Sequence, residues 1–235
     1  TALDATAAAD LSNITAASVT AAVANNVTFT GTIGNAVVTV ASGKTFTSTA
    51  AKVTGETLNG SGTVAITALH STAAADLSNI TASSVTAAVD DDVTFTGTIG
   101  NAVVTVASGK TFTATAAKVN GETLNGAGTV AITALHSTAA ADLSNITATA
   151  VTAAVDDDVT FTGTIGNAVV TVASGKTFTS TAAKVNAETL NGAGTVAITA
   201  LDATAAADLS NITATSVTAN VADDVTFTGT IGNAV

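Results

Sequence analysis

Residues 93–115 read VTFTGTIGNAVVTVASGKTFTAT, and their alternation decides the fold class. Val93, Phe95, Gly97 and Ile99 fall on one side of an extended chain, and Thr94, Thr96 and Thr98 fall on the other. After the Gly100-Asn101 break, Val104 and Val106 share a face opposite Val103 and Thr105. After Ser108-Gly109, the threonines Thr111, Thr113 and Thr115 flank Phe112 and Ala114. β-Branched side chains lose rotamer freedom in a helix and suit a pleated surface. Turn residues punctuate these runs roughly every 8 to 12 positions, the rhythm of short strands. Alanine, the best helix former, is abundant, and STAAADL (71–77) could make a helical turn. The Thr/Val alternation outweighs it.

The same stretch recurs. VTFTGTIGNAV begins at Val27, Val93, Val159 and Val225, and LSNIT begins at Leu11, Leu77, Leu143 and Leu209, with one constant spacing. The chain of 235 residues is three full repeats, 1–66, 67–132 and 133–198, and a partial fourth, 199–235. The second and third differ only at Ser83/Thr149, Ser84/Ala150, Ala114/Ser180 and Gly121/Ala187. Such near-identity extends to surface positions and suggests recent duplication. It also repeats every candidate site, whereas an enzyme needs one special place.

Each repeat divides again. Leu77-Ser78-Asn79, Ile99-Gly100-Asn101 and Leu124-Asn125-Gly126 read as three versions of one corner, unequally spaced. Short strands with a sub-period of about 22 residues predict an all-β parallel β-helix (β-solenoid) with three coils per repeat. One continuous solenoid over 1–235 is expected, with equivalent residues of successive repeats stacked three coils apart along one axis. A row of small β-sandwiches is disfavoured, because a unit the length of 1–66 without Pro, Trp or Tyr is short for such a module.

The solenoid assigns roles to residues. Phe29, Phe46, Phe95, Phe112, Phe161 and Phe178 are expected to stack in the interior, with their flanking threonines outward. Asn79, Asn101 and Asn125 are expected to form a hydrogen-bonded asparagine ladder at the corners. Asn13-Ile14-Thr15 and its copies also match the glycosylation acceptor pattern. The turns at Asp90, Asp91 and Asp92 and their copies read as solvated. Calcium, which wants several oxygens at one site, is the alternative there. Thr94, Thr96, Thr98, Thr111, Thr113 and Thr115 make a candidate binding face. Regular threonine arrays of this kind resemble the ice-binding faces of some β-solenoid antifreeze proteins. His70 and His136 alternate with Asp4 and Asp202 in the other copies and read as turn residues, without a triad or dyad.

Composition excludes several function classes. With no Cys there is no disulfide framework, zinc-cysteine site or thiol nucleophile. Six Lys are the only cations of a chain with net charge −11, so no nucleic-acid partner is expected. No apolar run reaches the roughly 18 residues of a membrane span, so no membrane insertion is expected. The start lacks both Met and a signal-peptide pattern, which reads as a processed or excised piece.

The run AVVTVASGKTFTATAAKVNGETLNGAGTVAIT (102–133) resembles the Ala/Thr/Gly-rich tandem repeats of large bacterial secreted and surface proteins. Many of those are predicted β-solenoid adhesins or haemagglutinin-like filaments. The resemblance covers essentially the whole chain, by composition and style. It implies an extracellular or cell-surface stalk or fibre and supplies no functional residues. The expected function is structural: a spacer or filament-forming element and no enzyme. A module for ice or polysaccharide using the Thr arrays is the alternative. Neither end carries an atypical capping repeat, so further repeats or end-to-end copies of the chain are the expected partners.

Overall fold

Strands form where the β-branched alternation is strongest. In Thr63–Thr67, Val64 and Ile66 are buried while Thr63, Ala65 and Thr67 face outward. The structure, a computed structural model, describes residues 2–235; Thr1, which opens the first repeat, lies outside the described residues. The strand pairings are parallel, and the fold is an all-β parallel β-solenoid. Helix is confined to short corner pieces such as Ala50–Val53 and Leu69–Ser71.

Two compact units can be distinguished: residues up to Phe112 with Glu122–Gly128, and Thr113–Gly121 with Thr129–Val235. In the first, Val19–Val23, Ala36–Val40 and Leu58–Gly60 form a three-stranded sheet. A six-stranded sheet runs in the order Val27–Thr28, Thr45–Thr49, Thr63–Thr67, Ser84–Val89, Val103–Val106, Leu124–Gly126. In the second unit, Val159–Thr160, Thr177–Thr181, Thr195–Thr199 and Ser216–Ala219 form one sheet. Thr129–Thr133, Ala150–Val155, Val169–Val172 and Leu190–Gly192 pair in that order in another.

The registers shorten the expected coil. One ladder climbs from Ala21 to Val38, then to Leu58, then to Ile80. Three coils thus end at Ile80, short of Ala87, which holds the place of Ala21 in the next repeat. Another ladder climbs from Val27 to Phe46, Val64 and Val85, again short of Val93, the counterpart of Val27. The surplus carries the chain on to the next face. Val19–Val23 lies in the three-stranded sheet, whereas its counterpart Ser84–Val89 lies beside Thr63–Thr67 in the six-stranded one. The second unit repeats the shift: Ala150–Val155 follows Thr129–Thr133 in one sheet, and Ser216–Ala219 follows Thr195–Thr199 in another. Equivalent residues of successive repeats therefore do not stack on one ladder as expected, because the repeat and the coil are out of phase by one face.

The interior is apolar and paired. Phe29–Phe46, Phe95–Phe112 and Phe161–Phe178 place ring centroids 5.4, 5.3 and 5.5 Å apart, tilted by 32–33°. All six rings are buried. Tilted pairs at this distance contribute about 0.5–1.5 kcal/mol beyond their area burial. Gly97 lets one coil approach the coil beneath it: a Cβ there would lie 2.0 Å from the Ala75 carbonyl oxygen.

Candidate functional site

The corner after Ser84–Val89 gathers the charged groups of the second repeat. Asp90, Asp91 and Asp92 follow the last apolar strand residue and leave the chain exposed at a turn. The winding of the coils places His70 one turn behind this corner and Lys110 one turn ahead of it. His70 Nδ1 sits 2.6 Å from Asp90 Oδ1. That nitrogen is screened from solvent and has no well-aligned hydrogen bond, so the contact is one of proximity. Lys110 Nζ donates to Asp91 Oδ1 at 2.9 Å, and the Thr111 N–H donates to Asp92 Oδ1 at 2.7 Å. The Lys110 ammonium, helped by the Asp92 N–H, holds the Asp91 carboxyl below its ordinary range, and Asp91 in turn raises Lys110. The three carboxylates therefore tie one coil to its two neighbours. The second unit repeats the arrangement with His136–Asp156 at 2.6 Å and Lys176–Asp157 at 2.9 Å.

The first and fourth copies solve the same corner differently. Asp4 stands where His70 stands, and Ala24 where Asp90 stands. Asp4 accepts the Ala24 N–H at 3.1 Å and the Asn25 Nδ2–H at 2.8 Å, and the Asn25 amide holds its carboxyl below the ordinary range. Asn26 Oδ1 takes the Thr45 N–H at 2.9 Å, the role Asp92 has for Thr111. In the fourth copy Asp202 accepts the Ala222 N–H at 3.1 Å. The acidic corners are exposed to solvent, as the sequence reading expected. In the second and third copies the exposed carboxylates are also engaged by neighbouring coils. Nor do Asp90, Asp91 and Asp92 converge as a calcium site needs: no group of three or more His, Asp or Glu among the described residues could hold a metal ion.

The expected asparagine ladder takes another form. A Cβ on Gly100 would lie 3.1 Å from Ser78 Cα, so the Ile99-Gly100-Asn101 corner does stack on Leu77-Ser78-Asn79. Asn79 and Asn101 are exposed on it. Asn125 belongs elsewhere: it lies in the strand Leu124–Gly126, paired with Thr105. Its Oδ1 accepts the Thr105 hydroxyl at 2.9 Å, a rung that recurs as Thr39–Asn59 and Thr171–Asn191. The likeness of Leu-Asn-Gly to the other two corners hid a strand.

The threonine face is interrupted along the stack. Thr94, Thr96, Thr98 and Thr115 are exposed, and Thr111 and Thr113 half-buried. Thr94 ends the strand Val93–Thr94, while Thr96 donates its N–H to the Ala73 carbonyl at 2.7 Å and Thr98 bridges Asp76 in the coil beneath. Across the six-stranded sheet the outward row containing Thr28 continues as Thr47, Ala65, Thr86 and Val103. Unlike segments stack, so threonine alternates with alanine and valine. A second outward row, Thr45, Thr63 and Ser84, carries hydroxyls only.

Buried polar side chains among the described residues are Ser48 and Ser180, whose hydroxyls donate to the Phe29 and Phe161 carbonyls at 2.8 and 2.7 Å. Glu56, Glu122 and Glu188 are half-buried, and burial pushes their carboxyls above the ordinary range. The sequence reading missed the His70–Asp90 partnership. The available signal was that positions 70 and 90 change together between copies: His with Asp, Asp with Ala. Among the described residues no helix is long and apolar enough to cross a membrane. Compared with protein-family models, curated proteins and solved structures, the chain finds no match in any of the three.

Proposed function

We propose that this chain is a structural segment of an extracellular or cell-surface fibre, stalk or adhesin, acting as a spacer or filament-forming element. The observation that carries the reading is sameness: the Phe pair recurs at 5.3–5.5 Å, and the Asp–Lys clasp at 2.9 Å in both units. Coils that bury their apolar faces only against neighbours give length by addition, and stability as a sum of near-equal increments. The acidic balance opposes side-by-side clumping of such segments, while further copies or repeats are the partners that axial growth requires. The test is deletion of residues 67–132, which joins residue 66 to 133 and recreates a natural junction. The shortened chain should fold, with a maximum dimension in small-angle scattering reduced in proportion. A collapse of folding on removal of one repeat contradicts the spacer reading. Surface labelling or protease shaving of intact source cells tests the location.

The hydroxyl row of Thr45, Thr63 and Ser84 favours one second reading, a face that binds polysaccharide or ice. Thermal hysteresis and glycan-array binding that vanish in Thr63→Lys are the results it requires.

A further inference from the structure

We propose that the position pair occupied by His70 and Asp90 is a matching key by which one coil accepts the coil stacked on it. Four copies of the pair exist, in two forms. His70 faces Asp90 and His136 faces Asp156, each at 2.6 Å. Asp4 and Asp202 instead face Ala24 and Ala222 and accept their backbone N–H groups, each at 3.1 Å. Both forms are compensated. An imidazole nitrogen screened from water is set against a carboxylate, or a carboxylate is set against N–H donors with only a methyl group beside them. The two mixed forms, Asp with Asp and His with Ala, do not occur in the chain.

The physical cost of a mixed form follows from what else faces the site. Asp90, Asp91 and Asp92 share the corner, and Lys110 is already committed to Asp91. A carboxylate at position 70 would meet Asp90 at contact distance without a cation of its own, and like charges so placed disfavour both ionised forms. Removing Asp90 alone takes away the carboxylate beside the His70 nitrogen, a milder loss because it brings no like charges together and water can reach an opened corner. Removing both restores the combination of the fourth copy, Asp202 with Ala222 followed by Asp223 and Asp224. The key thus makes the two coil types non-interchangeable, which neither the shared core nor the shared strands can do. It is a property of coil recognition and holds whether or not the chain is a spacer.

The experiment uses the full chain and the variants H70D, D90A and H70D/D90A. Urea unfolding is followed by circular dichroism, and hydrogen exchange is read at Leu69–Ser71 and Ser84–Val89. H70D should show the lowest midpoint and the fastest local exchange, D90A a smaller effect, and the double variant a midpoint above that of H70D. Raising the salt concentration should narrow the H70D deficit, which a packing defect would not do. The untouched His136–Asp156 corner serves as the internal control for exchange. A double variant at or below H70D, or an H70D indistinguishable from the parent, overturns the key. Should H70D fail to fold, a soluble double variant supports the key and an equally unfolded one overturns it.

Discussion

The interior at Phe95 and Phe112 and the corner at Asp90–Asp92 lie on the same coils yet follow opposite rules. Inside, the three full copies are near-identical: the same ring pair at the same tilt, sealed from water. At the corner the copies differ in residue type, and what is kept is compensation: His with Asp, or Asp with backbone N–H and Asn. Close packing tolerates few shapes, so a core position keeps its residue or changes only to one of similar size, as Ala114 and Ser180 do. A half-wet corner tolerates several chemistries provided that each polar group has a partner. The core therefore sets how strongly coils stack, while the corner distinguishes one coil from another.

The strongest way to break this contrast is from the inside. Phe112→Ala should cost about 3–5 kcal/mol if the site cannot collapse. The loss should be concentrated in neighbouring coils, as read by hydrogen exchange, and leave distant repeats protected. Uniform unfolding of every repeat would show that the interior is more cooperative than a sum of neighbours. Gly97→Ala comes next. Its Cβ would collide with the Ala75 backbone oxygen at 2.0 Å, which no side-chain rotation relieves. Overpacking of this kind costs about 1–3 kcal/mol, measurable as a drop in urea midpoint; an unchanged midpoint would mean that adjacent coils can slide apart freely.

Ala187→Gly should act in the opposite direction. Ala187 holds φ at 60°, where its counterpart Gly121 has φ 75° and open space around the position. Relief of left-handed strain should raise stability by about 0.5–1 kcal/mol. Removing the methyl group touches no core atom, so a loss of stability would reveal a packing role for it.

The smallest effect belongs to the corner. Asp91 is held below its ordinary range by Lys110, so its contribution is present above that range and fades as pH falls through the lowered value. Lys110 is raised, so its contribution persists below its ordinary value and is lost as pH rises through the raised one. Glu56, Glu122 and Glu188 oppose the acid effect. Burial raises them, so folding favours their protonated forms, and that favour is lost as pH rises through the raised values. Thermal melts of the parent and Lys110→Met across pH should therefore differ at neutral pH and converge in strong acid. A constant gap across that range would show that the charge pair with Asp91 is not what Lys110 contributes.

Sequence alone determined a good deal of this molecule. The long repeat, the parallel solenoid class, the inward Phe and Val and the outward Thr all follow from recurrence and alternation, which every strand residue obeys on its own. The chain also carries, in the paired changes at 4/24 and 70/90, the trace of the corner partnership. Only the tertiary structure decided that the coils are shorter than the sub-period suggests, that each repeat passes to the next face and that Asn125 lies opposite Thr105. The reason is the corners. How much chain a corner absorbs, whether in the helical turn Ala50–Val53 or in the tight bend at Gly43 with φ 69°, depends on how the next coil packs against it. Alternation along a strand carries no count of the residues spent between strands.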